Sequence, residues 1–326
     1  MHSRDSCRCS LPRQTGLVKL LTRNCDRRPS GRSRARAPLT PRVGVLLACG
    51  AIWLGTACRI DPPALERASL LAEHGREKEA IDLLEQHLAT HPGDIAERRQ
   101  LIRLYGSTGR IDRATEQTER LAEILPHDSP IPWVELGHAQ ELAHRYDEAL
   151  AAYDHASQIA PANPLGPKVG GLRATRWGEP SLAEPRLEEA ARRAPSDAET
   201  WHALGLVRVS LGKLEAARQA YVNGLHADPK AIENQLGLAT VALRMNEPEQ
   251  ALAAYEALLA VRPSFAPALL GKSWSLILLG RYEDAESALT HATEQGAPAD
   301  SVERQRLAIR DRRAQLPQKN RAESPP

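Results

Sequence analysis

Cysteine is missing from most of this chain. All five cysteines lie at positions 7, 9, 25, 49 and 58, so residues 61–326 can be held neither by disulfides nor by thiolate-bound metal. Their stability must come from packing. Cys7-x-Cys9 is too closely spaced for a zinc knuckle and has no second pair. Aromatic residues are also scarce, at 4% of the 326 residues, while alanine and leucine dominate the 42% hydrophobic content, a composition suited to stacked helices. No phosphate-binding glycine loop, dinucleotide fingerprint, serine-nucleophile elbow or zinc-protease helix occurs, so no catalysis is expected. His87-x-x-x-His91 has helical metal-ligand spacing, but it lacks a third ligand in sequence and runs into Pro92, so neither a metal nor another cofactor is expected. The acidic pairs Glu188-Glu189 and Glu283-Asp284 are expected on outward helix faces.

The formal charge of +2 conceals a division. Residues 1–60 hold 12 of the 43 Lys and Arg but 2 of the 41 Asp and Glu, which leaves residues 61–326 with 31 bases against 39 acids, a net of −8. The basic excess therefore gives no argument for nucleic-acid binding by the body of the chain. Residues 1–42, rich in Arg, Ser and Pro with no apolar period, are expected to be disordered; a start codon placed too early would account for so long a basic lead.

What is abundant is repetition. Alanine recurs at 80, 114, 149, 183, 217, 251 and 285, at intervals of 34 residues with a single 35. Proline at 92, 126, 161, 195, 229 and 263 keeps the same interval, 12 residues behind each of the first six alanines. Two such ladders in one register define units at 61–94, 95–128, 130–163, 164–197, 198–231, 232–265 and 266–299, with Ser129 the only insertion. Within them Trp133-x-x-Leu136-Gly137, Ala149, Tyr153, Ala156 and Pro161 match Trp201-x-x-Leu204-Gly205, Ala217, Tyr221 and Pro229, while the second unit supplies Tyr105, Ala114, Leu121 and Pro126. Bulky residues three, four or seven apart make an apolar stripe, small ones permit close helix crossings, and proline ends each pair.

This pattern resembles the tetratricopeptide repeat (TPR), over about three quarters of the chain. The resemblance implies an all-α fold, a right-handed α-α superhelix of seven helix pairs, with a capping helix expected at 300–316 and a disordered tail at 317–326. The fourth unit departs most: Gly170 and Gly171 should weaken its first helix and Pro185 falls inside its second, suggesting either a kink or hinge between two blocks or a degenerate repeat that merely packs less well.

In TPR proteins the first helices line a concave groove that holds a partner polypeptide. Carried onto this register, the groove receives Arg99, Arg103, His138, Glu141, Lys168, Leu172, His202, Leu206 and Val209, then Leu236, Leu243, Leu270, Trp274 and Ile277. It would run from polar and partly basic to apolar, fitting a segment with an acidic part followed by an apolar one. Burial of Leu236, Leu270, Trp274 and Ile277 beneath the cap is the alternative. The lysine and asparagine set that captures a C-terminal carboxylate in the chaperone-binding TPR subclass is absent. The bases of the capping segment, Arg310, Arg312 and Arg313 among them, are expected to be solvated.

Residues 43–57, VGVLLACGAIWLGTA, form the only long apolar run, long enough for a signal-peptide core but short for a membrane span. Its end, Leu54-Gly55-Thr56-Ala57-Cys58, resembles a bacterial lipobox, with Gly55 in place of the usual leucine; that likeness implies lipidation of Cys58, and Arg59 after it favours the outer membrane. A short uncleaved anchor is the alternative. The expectation is thus a TPR lipoprotein of the bacterial cell envelope, facing the periplasm from a lipid anchor and binding another protein as a scaffold or adaptor, with no nucleic acid and no cofactor. A cytoplasmic adaptor with a wrongly extended start, or an accessory subunit of an envelope enzyme, would carry the same repeats.

Overall fold

The computed structural model describes residues 63–315. Its elements are all helices, arranged as seven antiparallel pairs: α1 (Ala64–Glu73) with α2 (Glu77–Thr90), α3 (Ile95–Ser107) with α4 (Ile111–Ile124), α5 (Ile131–Leu142) with α6 (Tyr146–Ile159), and α7 (Leu165–Arg176) with α8 (Pro180–Arg193). These continue as α9 (Ala198–Ser210) with α10 (Leu214–Ala227), α11 (Ile232–Arg244) with α12 (Pro248–Val261), and α13 (Ala266–Leu278) with α14 (Tyr282–Glu294). A last helix, α15 (Ala299–Gln315), follows. Every expected unit holds one pair. Cys58, the apolar run 43–57 and the tail 317–326 lie outside the described residues. Among those described, no helix is long and apolar enough to cross a membrane.

Three ladders build each pair. The seven alanines are all at 0% exposure, so the side chain there can be no larger than a methyl. Each of the six prolines stands directly after a helix C-cap, namely His91, Leu125, Ala160, Ala194, Asp228 and Arg262, whose ψ angles of 67° to 163° leave the helical region. The pyrrolidine ring imposes that departure on the residue before it. The third ladder was only partly visible in sequence. Gly75, Gly109, Gly178, Gly212 and Gly280 take φ between +71° and +81° at the turn inside each pair, and His144 and Asn246 take +60° at the two remaining turns. The next residue's amide then reaches back to the carbonyl five residues earlier at 2.8–2.9 Å, as in Arg110 to Tyr105 and Lys213 to Arg208. This is a Schellman closure, which turns the chain sharply enough to start the antiparallel helix.

Close approach is set by glycine against a ring. A methyl placed on Gly205 or on Gly237 would come within 2.4 Å of the Tyr221 ring, so this one fully buried tyrosine is clasped by its own pair and by the next. The fourth unit corrects an expectation. A methyl on Gly171 would stand 2.6 Å from Leu187 Cγ, so this glycine marks close packing of α7 on α8, and α7 is unbroken. Helix α8 also runs through Pro185, which faces solvent; the carbonyl of Ser181 that loses its donor is on an exposed residue, where water can satisfy it. The described residues, 63–315, fall within one unit and not two blocks.

Each first helix packs on its own second helix and on the first helix of the next pair, from α1 against α3 to α11 against α13, whereas among the described residues the backbones of second helices stay farther apart and meet through long side chains such as Arg186 to Asp154. Neighbours whose backbones approach on one side only must curve towards that side, so the first helices line the inner face. Helix α15 occupies the place of an eighth first helix, against α13 and α14. Replacing Ala217 or Ala251 by Asp is expected to cost at least ~3 kcal/mol, since a charge and extra volume would enter a filled crossing. Urea melts will show the loss; an unchanged midpoint would contradict the packing.

Candidate partner-binding face

The inner face begins with a charge cluster that ties two repeats together. Glu135 sits in α5 between Val134 and Leu136 and is 1% exposed. From α3, Arg99 Nε donates to its Oε1 at 2.8 Å, and Arg103 donates through Nε to Oε2 at 2.6 Å and through a terminal nitrogen to Oε1 at 2.9 Å. His138 Nδ1 lies 3.7 Å from the same carboxylate. Burial alone would raise the Glu135 carboxyl, but donors from His138, Arg103 and Arg99 overcome it and hold the group at about 2. Two guanidiniums thus share one carboxylate, and both arginine side chains remain 41% exposed. Arg99 and Arg103 are therefore fixed members of a cluster between two first helices, whose formal charge is +1 with His138 neutral.

Sequence inspection missed Glu135. A lone acid inside the apolar stretch Ile131-Pro132-Trp133-Val134-Glu135-Leu136-Gly137 was the available signal, since an acid on a core-facing stripe demands a buried partner.

Lys168 follows in α7. Its ammonium donates to Asp197 Oδ2 and Glu199 Oε2, both at 2.7 Å, and the side chain is 22% exposed. Burial would lower its pKa, but the two carboxylates raise it. Asp197 is also the N-cap of α9, accepting from the Glu199 and Thr200 amides. One aspartate therefore caps a helix and clamps the preceding repeat. Lys168 is engaged between repeats four and five. Glu141 belongs to a neighbouring group, 3.2 Å from Arg173 Nε and 3.3 Å from the Trp177 indole nitrogen.

Further along, the face turns apolar. His202 is half-buried, with its ring centroid 6.0 Å from that of Tyr221; desolvation lowers its pKa, against the opposing pull of Glu233 and Glu199. Leu206 stands 48% exposed on the next turn of α9. Leu172 and Val209 are half-buried, as are Leu236 and Leu243, which pack on Ala239, Ala242 and Tyr255. The expected apolar end is covered. Ile277 is fully buried in a cluster with Val302 and Ile309 of α15, and Leu270 and Trp274 pack on it half-buried. Gln305 and Arg312 of α15 donate to the Leu270 and Ile277 carbonyls at 3.1 and 3.3 Å. The cap thus takes up much of that stripe, and the accessible apolar stretch is centred on Leu206, not on Trp274.

A family model described as tetratricopeptide repeat matches residues 171–232 and 236–300. Over those residues the chain carries tetratricopeptide repeats. The solved C-terminal part of a TPR repeat-containing protein from Cytophaga hutchinsonii superposes with a TM-score of 0.54, at 16% identity, over 73% of this chain and 98% of that one. That likeness bears on the fold alone. Superkiller complex protein 3 of Mus musculus is 25% identical over 111 residues, 34% of this chain and 7% of its own length. The Heat-shock protein cognate co-chaperone sgt12 of Aspergillus fumigatus is 27% identical over 113 residues, 34% of this chain and 33% of its own. The matched segment is a small part of either relative.

Because Glu135 has its carboxyl near 2 when folded, against an ordinary 4.5, its contribution is complete above about pH 4.5 and is lost as pH falls towards 2. Glu135→Gln is expected to cost about 1–3 kcal/mol at neutral pH, a buried-pair loss reduced by the arginines' access to water. It should also flatten stability between pH 5 and 3, as followed by denaturant melts across that range.

Proposed function

We propose that this protein is a non-catalytic scaffold that grips a segment of another protein along its first-helix face, and that it works in a bacterial cell envelope from a lipid anchor at Cys58. One observation carries the binding part: the Glu135 cluster keeps more guanidinium than carboxylate at an accessible place, and exposed Leu206 lies two repeats beyond it on the same face. A partner with acidic residues followed by an apolar side chain complements that order. The fixed arginines bring little conformational entropy to lose, because Glu135 already orients them.

The anchor part rests on sequence. A charged lead, an apolar run of signal-peptide length and the lipobox-like Leu54-Gly55-Thr56-Ala57-Cys58 precede the repeats directly. A single acyl chain binds membranes weakly, so stable attachment calls for the multiple chains that such a cysteine receives in lipoproteins.

Photo-crosslinkers placed at Leu206 and, as control, at Val261, a 77% exposed second-helix residue, separate the alternatives in cells. The expected result is a discrete adduct from Leu206 that weakens on Arg99→Gln, with none from Val261. Adducts from Val261 alone would move the partner to the outer face and overturn the assignment. Fractionation of Cys58→Ser tests the anchor: release from membranes supports it, whereas a wild-type protein already soluble in the cytoplasm refutes it.

A further inference from the structure

His87 and His91 were paired in sequence as a possible but incomplete metal motif, and the fold changes the partnership. Their rings stack at 4.6 Å with planes 9° apart, and His91 Nδ1 lies 2.9 Å from Thr90 Oγ1. The turn over Pro92 instead brings two carboxylates to His87. Donor atoms of His87, Asp94 and Glu97 all lie within 4.8 Å of one another, and all three residues are half-buried. His87 Nε2 is 2.7 Å from Asp94 Oδ2.

We propose that His87, Asp94 and Glu97 form a divalent transition-metal site, of the zinc type, that staples the first repeat to the second. One imidazole and two carboxylates supply nitrogen and oxygen donors that zinc accepts at roughly 2.0–2.2 Å, which places tetrahedral donors about 3.4 Å apart. The observed spacing brackets that value, and rotation of the Glu97 side chain closes the remaining gap. Solvent completes the shell, since the site opens at the surface. An imidazole donor favours zinc over calcium or magnesium, which take oxygen ligands.

Three further observations support a cation here. Asp94 is the N-cap residue of α3, yet its side chain makes no cap hydrogen bond, whereas Asp197 at the equivalent place before α9 caps two amides. Asp94 is turned to His87 instead. Its carboxylate and that of Glu97 converge with no arginine or lysine joining them: Arg98, the nearest base in sequence, is buried and donates to Gln117 Oε1 and to the Pro92 carbonyl, both at 2.6 Å. A dication would balance two like charges that otherwise repel. His87 also lies in the last turn of α2, where the helix dipole favours positive charge.

The test is calorimetric titration of zinc chloride into the full chain, stripped of metal and with its five thiols alkylated. One saturable site is expected, weakened at least tenfold by Glu97→Gln and by Asp94→Asn and abolished by His87→Gln. His91→Gln should keep it. Hydrogen exchange should show zinc-dependent protection across residues 84–98, which a simple His87–Asp94 ion pair would not give. The proposal is overturned by absence of saturable binding, by binding that ignores all three substitutions, or by equal loss in His91→Gln. Should His87→Gln unfold the first repeat, the isosteric substitution Glu97→Gln still decides the matter.

Discussion

Two crossing helices can come only as near as the residue at their crossing permits, and here that residue is alanine or glycine in every pair. The consequence reaches beyond one hairpin. Tyr221 fills the space opened by Gly205 within its own repeat and also the space opened by Gly237 in the next, so a single ring sets two interfaces. The alanine ladder repeats this economy of space seven times without any residual exposure. A fixed spacing between successive pairs then follows from packing density alone, and the curve of the array follows from first helices approaching closely while second helices meet only through long side chains.

Polar chemistry is arranged around that stack and mostly runs between repeats. Glu135 receives two arginines from the preceding repeat, Asp197 receives Lys168, and Arg186 reaches Asp154 with bonds of 2.8 and 2.6 Å. Arg193 donates to the carbonyls of Ser157, Ala160 and Asn163, satisfying acceptors at the end of α6 that the helix itself leaves open. Such contacts stabilise modestly where water competes and more where the acid is buried, as Glu135 is. Their larger effect is on the face they leave behind. Most inner charges already have partners, so recognition would rest on the small surplus around Glu135 and on the leucine surface near Leu206.

The fourth repeat shows how local rules are overruled by position. Gly171 lowers helix propensity, yet it is the place where Leu187 fits, and Pro185 removes a backbone bond on the side open to solvent. The same residues read from sequence suggested a hinge. Burial decided otherwise, because the cost of a helix breaker depends on whether the freed carbonyl is wet or dry.

Repeat boundaries, helix pairing and the identity of the buried alanines were legible because a 34-residue period records every crossing at the same phase, and proline and glycine act on their own backbone. The His144 and Asn246 turns hid within that ladder, since a left-handed residue need not be glycine. What sequence alone determined was therefore the set of short-range constraints: where helices begin and end, and which side chains must be small. Which charges meet was decided only by the tertiary structure. Arg99 and Glu135 are 36 residues apart, Lys168 and Asp197 are 29 apart, and α15 covers Ile277 from the far end of the array. Such contacts depend on how neighbouring pairs are rotated against one another, a quantity no single residue carries.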